Sequence, residues 1–252
     1  MTKRSHHAKI RFAMMVATAV VLAGPVGAQD YAFQGFATSD AMNQMHAAMR
    51  DNMMSSGDGS PSSARRAAPR ALAAPSGAVV RTTYRASPSV STRVRSQFAE
   101  FVGRNSGREA EQRVRSVLTN GDPIGSWSGI VLSDGLRAGD VADAMAAYWV
   151  MNWVIANQGD NNRTQTLAVR DQVRRSIAGG PVARLDDAGR QEMAEVLMLN
   201  FLVQHAAYVD AMQRGDNATA RRLGDAAVAR FRNEMGVDLR QLRLTNAGLT
   251  PA

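Results

Sequence analysis

Two segments of this chain are apolar on almost every side of a helix. They are residues 141–156, VADAMAAYWVMNWVIA, and residues 193–209, MAEVLMLNFLVQHAAYV. The residues in them that fall outside the apolar set are Asp143, Asn152, Glu195, Asn200, Gln204 and His205. A helix of this kind must be surrounded by other helices or by lipid. Both segments are shorter or more interrupted than a bilayer span of about 20 apolar residues. We therefore predict an all-α fold, a single helical bundle of six to seven helices with this apolar pair at its centre.

Helix start and stop signals divide the remainder of the C-terminal region into amphipathic helices. Asp140, Asp186 and Asp216 are placed to cap three helices, because a side-chain oxygen at that position accepts a hydrogen bond from the first turn. Gly236 is placed to end the last helix. Residues 124–132 contain glycine and are predicted as a short helix or a loop. The tail is expected to fold back through its leucines, and no alternating strand pattern is recognised in this region.

The first 28 residues have the three parts of a secretory signal peptide. Their start is basic, an apolar stretch runs from Phe12 to Leu22, and the small residues Gly27 and Ala28 follow. We expect cleavage after Ala28. The predicted location is therefore secreted or periplasmic, with no transmembrane segment after signal cleavage.

The remainder of the chain divides into three parts by composition. Residues 29–54 form a Met-rich amphipathic segment, in which methionines recur at helical spacing. Residues 55–82 are rich in Arg, Pro, Ser and Ala, and they hold too little apolar surface to offset the entropy of ordering, so we predict a disordered linker. Residues 83–252 form the predicted α-helical domain.

Positive charge is concentrated before the domain and at its start. Between Asp58 and Glu100 there are seven arginines and no acidic residue. Such a segment is able to bind an envelope protein or an anionic surface polymer through charge, and residues 59–99 are the candidate contact region. The favoured interpretation of the segment itself is a solvated linker with no specific partner. Nucleic acid is not an expected partner, because the region from residue 100 onward is charge-balanced and no basic stripe with interleaved aromatics occurs.

Several classes of chemistry are excluded by composition. The chain has no Cys, and its only lysines, Lys3 and Lys9, lie in the predicted signal peptide. Only His46 and His205 remain after signal removal, so a three-His zinc site is impossible. Glu192 and Glu195 were weighed as a pair of glycosidase carboxylates, which would need a cleft between them. The sequence assigns no catalytic residue, no metal ligand and no cofactor.

The polar residues of the two apolar segments are the most informative candidates for a site. They must bond to one another or to a ligand, because an unsatisfied polar group in a core is costly. The candidate residues for a buried polar network or a ligand pocket are Asp143, Tyr148, Asn152, Gln204 and His205. The alternative to a network is a pocket for a small amphipathic ligand, lined by tryptophan and methionine.

Three stretches of the sequence resemble a known but uncharacterised family. They are GLRAGDVADAMAAYWVMNWVIAN at residues 135–157, TYRASPSVSTRVRSQF at residues 83–98 and LRLTNAGL at residues 242–249. The chain over about residues 83–250 is similar to an uncharacterised family of exported bacterial helical proteins, a domain of unknown function. The resemblance implies a secreted or periplasmic setting in a Gram-negative bacterium. It supplies no activity and no catalytic residue.

Two functional hypotheses follow. The preferred one is an exported, non-enzymatic helical module that acts in protein interaction or envelope association, with an arginine-rich arm that reaches anionic surfaces. The alternative is an envelope hydrolase or a small amphipathic-ligand binder that uses the polar groups of the central helices.

Overall fold

The computed structural model describes residues 40–55, 81–178 and 180–252. The predicted signal peptide and most of the predicted linker lie outside the described residues. The helices of the described part are α1 (Asp40–Ser55), α2 (Pro88–Ser106), α3 (Arg108–Asn120), α4 (Pro123–Val131), α5 (Val141–Asn157), α6 (Arg163–Ile177), α7 (Pro181–Arg184), α8 (Asp187–Gln213) and α9 (Asn217–Met235). They are followed by a 3-10 turn (Leu239–Gln241) and by strands β1 (Leu242–Thr245) and β2 (Gly248–Pro251).

The two apolar segments form the central helices α5 and α8. Fourteen of the seventeen residues of α5 are buried, because α6, α8 and α9 all pack against it. The contact between α5 and α8 is among the most extensive of the structure, matched only by the antiparallel pair α2 and α3. The prediction of an all-α fold built around this pair is confirmed.

The predicted capping residues occupy the positions that the sequence indicates. Asp140 accepts a hydrogen bond from the Ala142 backbone N–H at 2.8 Å at the start of α5. Asp186 caps α8 and Asp216 caps α9 in the same way. Gly236 ends α9 with a left-handed backbone, φ +66°, which glycine adopts without a steric penalty. Residues 124–132, for which a short helix and a loop were both open, lie mostly within α4.

The expectation that the region contains no strand is wrong at the C-terminus. Strands β1 and β2 pair as an antiparallel hairpin, with Leu244 opposite Leu249. The strands have four residues each, too few for an alternating pattern to stand out in the sequence. Contacts from the helices hold the hairpin in place. Gln172 of α6 both donates to and accepts from the backbone of Leu249 at 2.9 Å, and Trp153 of α5 donates to the Leu242 carbonyl.

Helix α1 lies on the same core as the helices that follow the linker. Met49 and Met53 are buried, and α1 contacts α6, α7, α9 and β2. Its apolar face, which the methionine spacing predicts, is therefore occupied by the chain itself.

Within the described ranges, the structure contains no helix long and apolar enough to cross a membrane.

Gly224 lies where α9 packs closely against α5. A Cβ atom at this position would lie 3.0 Å from the Ile155 carbonyl oxygen, a backbone atom that yields little. Gly224→Val is therefore expected to lower the free energy of unfolding by about 1–3 kcal/mol through overpacking. The exposed Ala229 lies on the same helix, and Ala229→Val is the control, with an expected cost below about 0.7 kcal/mol from helix propensity alone. Urea denaturation measures both, and equal effects would contradict close helix packing at Gly224.

Candidate functional site

Three of the five candidate residues meet between α5, α8 and α9. Asn152 donates from Nδ2 to the Tyr148 carbonyl at 2.7 Å, and its Oδ1 accepts from the guanidinium of Arg230. The side chains of Gln204 and Arg230 lie at the Tyr148 hydroxyl, where both act to lower its pKa. We call Tyr148, Asn152, Gln204 and Arg230 the central polar cluster. All four are buried, so their polar groups depend on one another in place of water. Gln204 Oε1 has no hydrogen-bond partner among the described residues.

Helix α1 adds a histidine to one side of this cluster. Trp149 is fully buried and donates from Nε1 to Nδ1 of His46 at 3.2 Å. A hydrogen bond of this kind leaves the His46 proton on Nε2 and makes the ring a neutral acceptor. Burial, together with the positive charge of Arg230, lowers the pKa of His46 from 6.5 to about 3.

Aromatic rings close the space around the cluster. Phe231 stacks on Tyr148 with ring centroids 5.8 Å apart, and it meets Trp149 edge-on at 4.9 Å. Such arrangements are the preferred geometries of aromatic pairs. Burial raises the pKa of the Tyr148 phenol, so the ring is neutral and acts as a hydrogen-bonding group. Trp149, one of the tryptophans considered as a pocket lining, is fully buried against Phe231.

Asp143 lies near the start of α5, away from the cluster. One of its oxygens accepts from the Arg137 backbone N–H at 2.9 Å, and the other lies 3.5 Å from the guanidinium of Arg174. Arg174 also binds Asp140 at 2.7 Å, so one arginine of α6 serves two carboxylates. Burial and the charge of Asp140 raise the pKa of Asp143. These contacts tie α6 to the first turn of α5.

His205 faces a different neighbour from Gln204. Its ring stacks on Phe201 with centroids 5.5 Å apart and planes 11° from parallel. Burial lowers the pKa of His205 to about 4. Its Nδ1 is buried and has no hydrogen-bond partner within the described part of the chain. The imidazole is therefore neutral at neutral pH.

Arg230 is a member of the cluster that was not among the residues predicted from the sequence. A sequence signal was present, because Arg230 follows Ala227 by three residues and Leu223 by seven, which places it on the buried face of α9. Against this signal, a charged side chain usually indicates a position exposed to solvent. His46 was treated as part of a separate N-terminal segment, and nothing local to it indicates a partner about a hundred residues later.

The two glutamates weighed as glycosidase carboxylates have separate partners. Glu192 pairs with Arg93 at 2.8 Å on the surface. Glu195 is buried and accepts from the Ser91 hydroxyl at 2.7 Å and from Gln191 Nε2 at 2.8 Å. Gln191 also bonds to both backbone groups of Ser87. The buried glutamate thus joins the start of α2 to α8.

A pocket with a basic and hydroxylated lining lies between α2 and α3. Its volume is about 250 Å³. The residues that line it are Thr92, Arg95, Ser96, Arg115, Leu118 and Thr119. We call it the α2–α3 pocket. Arg95 belongs to the basic segment of residues 59–99, so the pocket lies at the C-terminal end of that segment.

Side chains of the types that can bind a metal ion are spread over the part of the chain that the structure describes. No three of its histidine, aspartate or glutamate side chains come together in an arrangement suited to a metal ion.

Comparison with known proteins gives one match. No curated protein and no solved structure matches the chain. A family model described as "Family of unknown function" matches residues 8–251. The match is wider than the resemblance over residues 83–250, and it takes in α1 and the segment between α1 and the domain. Because it covers nearly the whole chain, the protein belongs to DUF6683, a family of unknown function.

Proposed function

We propose that this protein is an exported, non-enzymatic helical module of a Gram-negative envelope. In this proposal the domain is a rigid platform, and the arginines of residues 59–99 bind an anionic component of the envelope. The observation that carries the proposal is the α2–α3 pocket, in which Arg95 has no carboxylate within 4 Å among the described residues.

The contacts of the other described arginines of this segment support this proposal, because they attach the segment to the domain that serves as the platform. Arg81 pairs with Asp187 at 3.3 Å, and Arg93 pairs with Glu192 at 2.8 Å. The Arg85 backbone N–H donates to Asp187 as well. These contacts fix the end of the basic segment on α8. Arg95 is then held in a defined place, and the linker arginines Arg65, Arg66 and Arg70 precede it.

Arginine suits an anionic envelope surface for a chemical reason. Its planar guanidinium binds phosphate in a two-pronged manner and keeps its charge at every physiological pH. Basic groups near an anionic lipid surface contribute about 1 kcal/mol each. Several weak contacts on one linker add to the binding at a fixed site, because the second contact is intramolecular once the first is made.

The export step has its own test. The full chain is expressed in a Gram-negative host, the cell is fractionated, and the N-terminus of the product is determined. The signal features of residues 1–28 predict a periplasmic product that begins at Gln29. A cytoplasmic product that still begins at Met1 would overturn export.

The binding step is tested with that exported product. Cosedimentation is measured with vesicles of phosphatidylglycerol mixed with phosphatidylcholine, and with vesicles of phosphatidylcholine alone. Binding is expected only to the anionic vesicles, and it should be lost near 1 M salt, where charges are screened beyond about 3 Å. Replacement of Arg65, Arg66 and Arg70 by Gln should weaken it more than a hundredfold, which is about 1 kcal/mol for each arginine. Equal binding to both kinds of vesicle, or none to either, would overturn the proposal.

A further inference from the structure

The α2–α3 pocket has the donors of an oxyanion site. Arg95 and Arg115 line it together with Thr92, Ser96 and Thr119, and Leu118 is its one apolar residue. The Thr92 hydroxyl already donates to the Pro88 carbonyl at 3.0 Å. A volume of about 250 Å³ is slightly below the range of roughly 300–1,000 Å³ that holds drug-sized ligands. The size therefore fits a small charged group better than a sugar chain or a peptide.

Arg95 is held at the pocket by one of its own hydrogen bonds. Its Nη1 donates to the Leu118 carbonyl at 3.2 Å, near the C-terminal end of α3. Its Nε is buried and has no acceptor among the residues that the structure describes. A buried donor without a partner is costly, so a small rearrangement of Arg95 that brings this atom to a bound acceptor would be favourable. The remaining N–H groups of the Arg95 guanidinium lie beside Nε.

Arg115 also lines the pocket, but carboxylates of the domain balance its charge. Its Nη1 donates to the Ser96 hydroxyl at 2.9 Å, and its Nη2 donates to Glu111 at 2.8 Å. Glu100 lies 3.9 Å away from the same nitrogen. Arg115 therefore positions one wall and orients Ser96, whereas Arg95 supplies the charge that no carboxylate of the described residues offsets.

We propose that the α2–α3 pocket binds a phosphoryl group, with Arg95 as its main ligand and the hydroxyl of Thr119 as a further donor. A phosphoryl group presents several charged oxygens, which match a guanidinium fork together with hydroxyl donors. This inference deepens the proposed function and rests on it for the source of the ligand, the phosphate of an anionic lipid headgroup. A soluble phosphate compound carries the same chemistry.

The site is tested with the exported chain and inorganic phosphate at constant ionic strength. The arginine Nε–H signals are followed by two-dimensional ¹H–¹⁵N NMR. The Arg95 signal is expected to shift saturably, with a dissociation constant on the order of 1 mM. Arg95→Gln should weaken binding at least tenfold. Arg93→Gln is the matched control, because Arg93 lies on the same helix but pairs with Glu192 outside the pocket, and it should change binding less than twofold.

Arg95 also binds the end of α3, so the fold of each variant is checked by circular dichroism. If Arg95→Gln does not fold, Arg95→Lys and Thr119→Val take its place. Lysine keeps the charge but loses the fork, and valine removes a hydroxyl from the lining, so each should weaken phosphate binding severalfold. Unchanged binding in both would overturn the site.

The vesicle experiment separates this inference from the proposed function. Loss of both phosphate and vesicle binding in Arg95→Gln supports the site with a lipid source. Phosphate binding that depends on Arg95 without vesicle binding supports the site with a soluble ligand and overturns the proposed function. Vesicle binding that depends on the linker arginines, with no phosphate shift at Arg95, overturns the site and leaves the proposed function standing. Absence of both overturns both.

Discussion

Trp149→Ala is expected to lower the free energy of unfolding by about 3–5 kcal/mol, the usual cost of removing a large aromatic side chain from a core. Trp149 is fully buried on α5, packs edge-on against Phe231 of α9 and donates to His46 of α1. One substitution therefore removes contacts that join three helices. A loss of this size is a large part of the total stability of an ordinary domain, about 5–15 kcal/mol.

Urea denaturation followed by far-UV circular dichroism measures the effect. Trp149→Phe is the matched control, because it keeps an aromatic ring against Phe231 and removes the donor to His46. Its expected cost is about 1–2 kcal/mol, from the smaller ring and the lost hydrogen bond together. If Trp149→Ala costs less than the phenylalanine variant, the indole is not packed as the structure shows.

The centre of the fold follows from the sequence because its signal is local. A helix that is apolar on all sides must be buried, and α5 and α8 are such helices. Their starts follow for a similar reason, since the side chains of Asp140 and Asp186 satisfy backbone groups only two or three residues away. No knowledge of distant residues is needed for either inference.

The hairpin and the docking of α1 depend on partners far along the chain. Strands β1 and β2 are held by Gln172 and Trp153, which lie 77 and 89 residues before their backbone partners. The methionine spacing of α1 predicts an apolar face, but the same face would suit a partner protein or this domain. Only the fold brings Met49 and Met53 onto the core that the residues after position 81 form.

The candidate site was partly predictable from helix geometry. Tyr148 and Asn152 are four residues apart and share a face of α5, so they meet the same neighbours. Asp143 precedes Tyr148 by five residues, which at about 100° per residue turns it to another face. His205 is turned by about 100° from Gln204 for the same reason. Arg230, which completes the cluster, comes from a third helix whose position no local pattern supplies.

Acidification from about pH 7.5 to about pH 5 is expected to lower the free energy of unfolding by about 4 kcal/mol through His46 and His205. Burial lowers the pKa of His46 to about 3 and that of His205 to about 4, from 6.5. Above pH 6.5 both rings are neutral in the folded and the unfolded chain, so they contribute no pH dependence. Below it the unfolded chain binds two protons that the folded chain excludes. The loss grows until the pH reaches the folded pKa values, and at pH 5 it is about 2 kcal/mol for each ring.

The pH effect is measured by urea denaturation at the two pH values, for the parent chain and for the double variant His46→Gln, His205→Gln. Glutamine at position 46 keeps an acceptor for Trp149 Nε1 but does not titrate. Carboxylates titrate in both proteins, so their contribution cancels in the difference. The stability of the parent chain should fall by about 4 kcal/mol more than that of the double variant, and each single variant should remove about half of that excess. Parallel losses in parent and double variant would mean that both histidines reach solvent, and α1 would then not cover Trp149 as the structure shows.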